Sequence, residues 1–221
     1  MSKKRTTTRD KAQNVKTAKG RKNSSTRWLK RQLNDPYVAK AQMDGYRGRA
    51  AYKLIEINEK IDVLKEGMMV IDLGAAPGGW SQVAAQAGCK VIGLDLLEID
   101  PIENATFFQM DFMDDDAPEA LIGAMGGAPA DLVMSDMAPN TIGHKQTDHL
   151  RIMALVELAY DFARQVLKQE GTFIAKVRQG GAQQDLLAQI KKDFKTIKHI
   201  KPPSSRKESS ETYLIAQGFR G

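Results

Sequence analysis

The stretch that decides the fold is Met68-Met69-Val70-Ile71-Asp72-Leu73-Gly74-Ala75-Ala76-Pro77-Gly78-Gly79-Trp80-Ser81-Gln82. A short apolar run ends on an acid, a glycine-rich turn follows, and helical spacing resumes near Trp80. Glycines at such a turn let the backbone bend sharply and come close to a ligand. In an open α/β sheet the turn lies at the carboxyl edge of the strands, where ligands bind.

Outward from that turn the chain alternates short strands with helices. Strands are expected at 68–72, 89–94, 106–109, 132–135 and 172–176, with two closing strands at 194–200 and 212–217. Helices are expected at 33–45, 50–64, 80–87, 118–125, 148–168 and 182–193. In 50–64, Ala50, Leu54, Ile57, Ile61 and Leu64 recur at helical spacing. In 148–168, Leu150, Met153, Ala154, Val156, Leu158 and Ala159 lie on or near one face. Alternation of this kind predicts an α/β fold, a mostly parallel sheet with helices on both faces. The last two strands have no helix between them, so they are expected to pair antiparallel.

Three ligand chemistries compete for the turn. A dinucleotide fold asks for G-x-G-x-x-G, and the middle glycine is replaced by Ala76. A P-loop asks for G-x-x-x-x-G-K-[ST], and Trp80 stands where the phosphate-binding lysine belongs. S-adenosylmethionine has no phosphate; it asks for carboxylates over a glycine-rich backbone. Asp72, Asp95, Asp111, Asp136 and Lys176 each follow an apolar strand and would line one rim. A lone Asp at a strand end is often a helix or turn cap, but one crevice accounts for all five together. Candidate cofactor contacts are Asp72, Gly74, Ala75, Pro77, Gly78, Gly79, Trp80, Asp95, Leu96, Asp111, Phe112 and Asp136. Asp95 would accept from ribose hydroxyls and Asp111 would meet the adenine amino group.

Methyl transfer to an alcohol needs alignment and a base. Orientation alone supplies on the order of 7–11 kcal/mol. Ser135-Asp136-Met137-Ala138-Pro139-Asn140 brings a carboxylate to the crevice, and Phe173-Ile174-Ala175-Lys176 brings a lysine. Lys53 offers a second ammonium and Glu211 a second acid, although each alone also reads as a solvated surface charge. Paired ammoniums and burial both favour a neutral amine, which would make Lys176 the general base.

Several motifs together resemble a known family. They are Arg49-Ala50-Ala51-Tyr52-Lys53-Leu54, Asp72 through Gln82, Ser135 through Asn140, Lys176-Val177-Arg178-Gln179-Gly180, and Ser204-Ser205-Arg206 through Glu211-Thr212-Tyr213. In that order, over about residues 26–218, the chain resembles the FtsJ family of heat-shock ribosomal RNA 2′-O-ribose methyltransferases, of the bacterial RlmE type. The resemblance implies a Rossmann-like class I S-adenosylmethionine-dependent fold with seven strands, the last antiparallel. It implies a Lys-Asp-Lys-Glu tetrad, which falls on Lys53, Asp136, Lys176 and Glu211, with Glu208 a nearby rival to Glu211. It also implies 2′-O-methylation of a uridine in 23S ribosomal RNA on the large subunit. The alternatives are 2′-O-methylation of another RNA such as tRNA, a small-molecule methyltransferase, and a non-catalytic RNA-binding assembly factor.

Charge placement bears on the partner. The net charge is +6, yet residues 1–31 hold 12 Lys/Arg against Asp10 alone, so the remaining chain is acidic. We therefore expect a basic, flexible tail at 1–31 and one methyltransferase domain at 32–221. Such a tail either contacts a phosphate backbone or only solubilises the protein. Arg47, Arg49, Lys53, Arg178, Lys201, Arg206 and Lys207 are the candidate RNA contacts, facing away from the acidic segment 95–119. Tyr52 is either a stacking platform for a splayed base or part of the core. One cysteine, Cys89, precludes an intrachain disulfide, and His144, His149 and His199 have no metal-ligand spacing. No apolar run reaches membrane-span length and no secretory signal opens the chain. A cytoplasmic, metal-free monomer is expected.

Overall fold

The computed structural model describes residues 23–139, 143–178 and 184–221. Residues 1–22, Asn140, Gln179 and Gly180, to which parts of the expected tail and motifs belong, lie outside the described residues. Among the described residues, seven strands make one sheet: β1 (Met69–Leu73), β2 (Lys90–Asp95), β3 (Ala105–Gln109), β4 (Ala130–Ser135), β5 (Leu167–Arg178), β6 (Phe194–Ile200) and β7 (Glu211–Phe219). Their order is β3-β2-β1-β4-β5-β7-β6. β1 to β5 pair in parallel, whereas β7 runs antiparallel to both β5 and β6. The order reverses between β1 and β4, so the crevice of an open α/β sheet falls at their carboxyl ends.

The helices are α1 (Asn23–Leu33), α2 (Pro36–Met43), α3 (Ala51–Ile61), α4 (Gly79–Gln86), α5 (Ala117–Ala124), α6 (Lys145–Val166) and α7 (Gln184–Asp193). Alternate strand residues feed two cores, because successive side chains leave opposite faces of a strand. Ile71, Leu73, Val133, Phe173, Ala175 and Leu214 pack with α5, α6 and α7 through Leu121, Val156, Phe162 and Ile190. Val70, Leu132, Met134, Ile174, Tyr213 and Ile215 pack with α3 and α4 through Leu54, Ile57, Trp80 and Val83.

Several elements differ from the sequence expectation for physical reasons. The expected helix 33–45 is divided: Asp35 caps α2 and Pro36 occupies its first turn, so α1 ends before it. Residues 23–31, grouped with the tail by composition, are helical. α3 stops at Ile61 because Asp62 turns left-handed (φ 52°), and the Asn58 side chain then receives the Leu64 N–H at 2.8 Å. α6 ends at Val166 rather than 168. β5 starts directly after it and shifts register between Ala130↔Leu167 and Leu132↔Thr172. The buried face of α6 also departs in part from the expected one. Leu150 and Leu158 are exposed, while Ile152, Tyr160, Phe162 and Ala163 join Met153, Val156 and Ala159 in the core.

Candidate active site

Strand alternation builds the candidate site. Lys176 lies one strand period beyond Ile174, so it leaves the sheet on the α3/α4 side. Its antiparallel neighbour on β7 is Tyr213, and Glu211 lies one period further along the same strand. Asp136 follows β4, anchored by its N–H to the Leu73 carbonyl at 3.1 Å. Lys53 reaches in from α3.

These four side chains, far apart in sequence, meet. Lys176 Nζ is 3.1 Å from Asp136 Oδ1 and also donates to the Asp136 carbonyl. Lys53 Nζ lies 3.7 Å from Asp136 Oδ2 and 3.4 Å from Glu211 Oε1. The solvated-surface reading of Lys53 does not hold, since its side chain is 11 % exposed. Glu208 has no part in these contacts and instead lines the neighbouring cleft.

Tyr213, which sequence reasoning missed, completes the cluster by donating its hydroxyl to Asp136 Oδ1 at 2.7 Å. The signal was available: a period of two puts Tyr213 on the same strand face as Glu211. Burial pushes the Asp136 carboxyl up, but the Lys176 and Lys53 ammoniums and the Tyr213 hydroxyl outweigh it and hold it below the usual carboxylate range. Burial, with the Asp136 and Glu211 charges, pushes the Tyr213 phenol well above its usual value. It therefore stays a donor.

Two clefts flank this cluster. One, of about 600 Å³, opens at the β1/β4 switch point and is lined by Gly74, Asp95, Leu96, Asp111, Phe112 and Asp136. Met110, Met137, Ala154, Leu155 and Leu158 add apolar wall, which is why Leu158 is exposed on α6. The second, of about 430 Å³, contains Lys176, Arg178, Ser209, Ser210 and Glu211. The two share Ala138 and Pro139, with Asp136 and Lys176 at the junction.

The turn itself divides into lining and support. Gly74 (φ 78°) passes so close to Met137 that a Cβ would stand 2.8–2.9 Å from its side chain and backbone. Ala75, Gly78, Gly79 and Trp80 are buried behind the cleft and Pro77 is exposed; none of the five lines it. The Trp80 indole donates to Ala50 O at 2.9 Å and packs on Tyr213. Asp72 is fully buried, accepting from Ser81 Oγ at 2.6 Å through Oδ2 while Oδ1 has no partner among the described residues. Burial, followed by the charges of Asp136 and Asp95, pushes its carboxyl up to about 7 against the pull of Ser81. Asp95 ties the turn down, accepting from Ala76 N and Leu97 N at 2.9 Å each. Asp111 accepts from Met113 N at 3.0 Å.

The candidate RNA contacts are mostly engaged inside the protein. Arg47 donates to the carbonyls of Pro77, Asp100 and Pro101. Arg49 and Arg206 share Asp35, and Arg49 also donates to Ser204 O. Lys201 donates to the carbonyls of Ser209 (2.7 Å) and Lys207 (3.3 Å). Arg178 donates from Nε to Ser210 Oγ and lines the second cleft, and Lys207 is exposed. Tyr52 is core, buried between Tyr37 and Tyr46 with its hydroxyl on Asp44. Among the described residues, no three His, Cys, Asp or Glu side chains cluster as metal ligands, and no helix is long and apolar enough to cross a membrane.

The larger cleft brings together the carboxylates of Asp95, Asp111 and Asp136, and Arg151 lines it as well. It offers carboxylates and apolar walls, and tryptophan stands in place of a phosphate-binding lysine. With the sheet order and the antiparallel β7, this is the architecture of a class I methyltransferase. The model of the family "FtsJ-like methyltransferase" matches residues 46–219, and the chain belongs to that family. It is 61% identical over 209 residues to the ribosomal RNA large subunit methyltransferase E of Novosphingobium aromaticivorans, covering 94% of each chain. It is 61% identical over 211 residues to the protein of the same name from Zymomonas mobilis, covering 95% of each. A crystal structure of a ribosomal RNA methyltransferase from Plasmodium falciparum superposes with a TM-score of 0.72 at 33% identity, over 80% of this chain and 100% of that one. The chain is thus a methyltransferase, of a family that in general depends on S-adenosylmethionine.

Proposed function

We propose that this protein transfers the methyl group of S-adenosylmethionine to the 2′-hydroxyl of a uridine ribose in 23S ribosomal RNA of the large subunit. The observation that carries the reading is the meeting of two clefts at Asp136 and Lys176. One cleft suits the cofactor, and the other, with Arg178 and Ser210, suits a ribose and its phosphates. The relatives' names supply the RNA class.

The cofactor would be held by Asp95 and Asp111 over the backbone at Gly74, and it supplies a methyl group on a good leaving sulfur. The chain's own residues then have three tasks. The walls of the second cleft hold the ribose so that its oxygen lines up with the methyl carbon, a contribution on the order of 7–11 kcal/mol. Lys176, after giving up its own proton to solvent, would take up the hydroxyl proton as the ribose oxygen accepts the methyl group. Asp136, kept ionised by Lys176, Lys53 and Tyr213, holds the Lys176 amine in place and balances the charge it gains. Glu211 orients Lys53. The basic segment 1–31 adds nonspecific phosphate contacts.

Incubating the protein with undermethylated large subunits and tritiated S-adenosylmethionine, then mapping the labelled ribose, tests the reading. Label at a single uridine 2′-oxygen is expected. Label on a base, on protein, or equally on tRNA would refute it.

A further inference from the structure

Residues 201–210 join β6 to β7 and deliver Glu211 to the reaction site. That loop is held by a side chain from the opposite end of the chain. Asp35 caps α2, its Oδ1 accepting from Tyr37 N at 3.1 Å. Its Oδ2 lies 2.7 Å from Arg49 Nη1 and accepts from Arg206 Nε and Nη2 at 3.3 and 3.2 Å. The Asp35 side chain is 7 % exposed.

A helix cap requires neither arginine, and Asn serves as well as Asp in that role. A buried carboxylate shared by two guanidiniums does something else: without its charge, two mostly buried cations are left facing each other. Both arginines lead to the reaction site. Arg49 lies one helical turn before Lys53 and donates to Ser204 O in the loop. Arg206 is in the loop itself. Between them the loop is pinned further, with Ser204 N and Oγ both on Glu56 Oε2 at 2.7 Å and Lys201 Nζ on Ser209 O at 2.7 Å. Ser209 Oγ then lies 3.3 Å from Glu211 Oε2.

We propose that Asp35 is a positioning residue for methyl transfer: it latches the β6–β7 loop to the segment entering α3, and so sets the approach of Glu211 to Lys53. This rests on Lys53 and Glu211 belonging to the reaction site. The latch stands apart from the cofactor cleft, whose lining includes neither Asp35 nor Arg49 nor Arg206.

The test uses the full-length protein, undermethylated large subunits and tritiated S-adenosylmethionine, with Asp35→Asn, Glu211→Gln and the double variant. Asp35→Asn keeps the cap and removes the charge. It is expected to lower kcat at least about tenfold, since misplacement by about an ångström carries that cost. Cofactor affinity should stay within about twofold. In the Glu211→Gln background the same change should cost less than about twofold more, because residues acting through one another are not additive.

Arg206→Gln opens the latch from the loop side while Asp35 stays paired with Arg49. It should show the same non-additivity with a smaller drop, and it serves if Asp35→Asn folds poorly. A wild-type kcat in Asp35→Asn, or its full cost on top of Glu211→Gln, would overturn the latch. A wild-type rate in Glu211→Gln alone would overturn the assignment of Glu211 beneath it, while label still reaching the ribose would leave the methyltransferase reading intact.

Discussion

Replacing Asp72 with Asn should change how stability depends on pH, with a sign that the structure fixes. Asp72 is fully buried near the end of β1, one oxygen on Ser81 and the other without a partner among the described residues. Burial, then the charges of Asp136 and Asp95, moves its carboxyl from 3.8 up to about 7. The folded state therefore keeps a proton that the unfolded chain gives up near pH 4. Below pH 4 both states are protonated and the group is neutral to stability. As pH rises toward 7 the unfolded state is progressively favoured, and above 7 the full cost remains. A shift of roughly three units at about 1.4 kcal/mol each makes that cost about 4 kcal/mol. Asp136 shifts the opposite way, and its contribution is lost only as pH falls below the ordinary carboxylate range, so the two windows do not overlap. Asn keeps an oxygen for Ser81 and has no proton to lose. Its own packing cost is independent of pH, so the slope of the difference is the diagnostic. Urea unfolding, followed by the fluorescence of buried Trp80, should show Asp72→Asn gaining on the wild type by about 3 kcal/mol between pH 5 and pH 8. Two curves that stay parallel across that range would mean that Asp72 does not titrate there, and the reasoning would fail.

Lys176→Ala should lower methyl transfer at least about 10²-fold, the usual worth of a positioned base, while equilibrium dialysis shows cofactor binding retained. Gly74→Ala places a Cβ 2.8 Å from the Met137 side chain at a positive φ; calorimetry should show a loss of about 1–3 kcal/mol in stability, and titration a weaker cofactor affinity. Deleting residues 1–22 removes nine Lys/Arg; RNA affinity should fall, and its slope against log salt should become shallower by about 0.7–0.9 for each phosphate that the tail neutralises, measured by filter binding. An unchanged slope would leave the tail without an RNA role.

Legibility followed the strength of local constraint. Strand ends were readable because an apolar run stopping at an acid or lysine is a local pattern, and Asp95, Asp111, Asp136 and Lys176 all reach the two clefts that way. Asp72 matched the same pattern but faces the α4 helix and Ser81, because its place in the alternation turns it away from the crevice. The helix break at Asp35-Pro36 had a readable cap and proline signal inside the single helix expected over 33–45. Leu150 and Leu158 counted as core because an exposed leucine on a helix has the same spacing as a buried one, and Leu158 stands on the cleft wall. Arginine was the least legible residue. Arg47, Arg49 and Arg206 looked like phosphate contacts by charge, yet their partners are backbone carbonyls and Asp35, which no local window joins to them.

The same contrast separates stability from chemistry at Asp136. Two ammoniums and a phenol converge on one carboxylate at the meeting of two clefts. Mostly buried ion pairs of this kind seldom stabilise a fold more than well-packed apolar residues of similar volume would, because desolvation offsets most of their attraction. The sheet has apolar side chains at neighbouring positions, Ile174 before Lys176 and Ile215 after Tyr213, so packing alone could have continued the row. That it stops here, where the two clefts border each other, supports the proposed proton-transfer role of the cluster over a purely structural one.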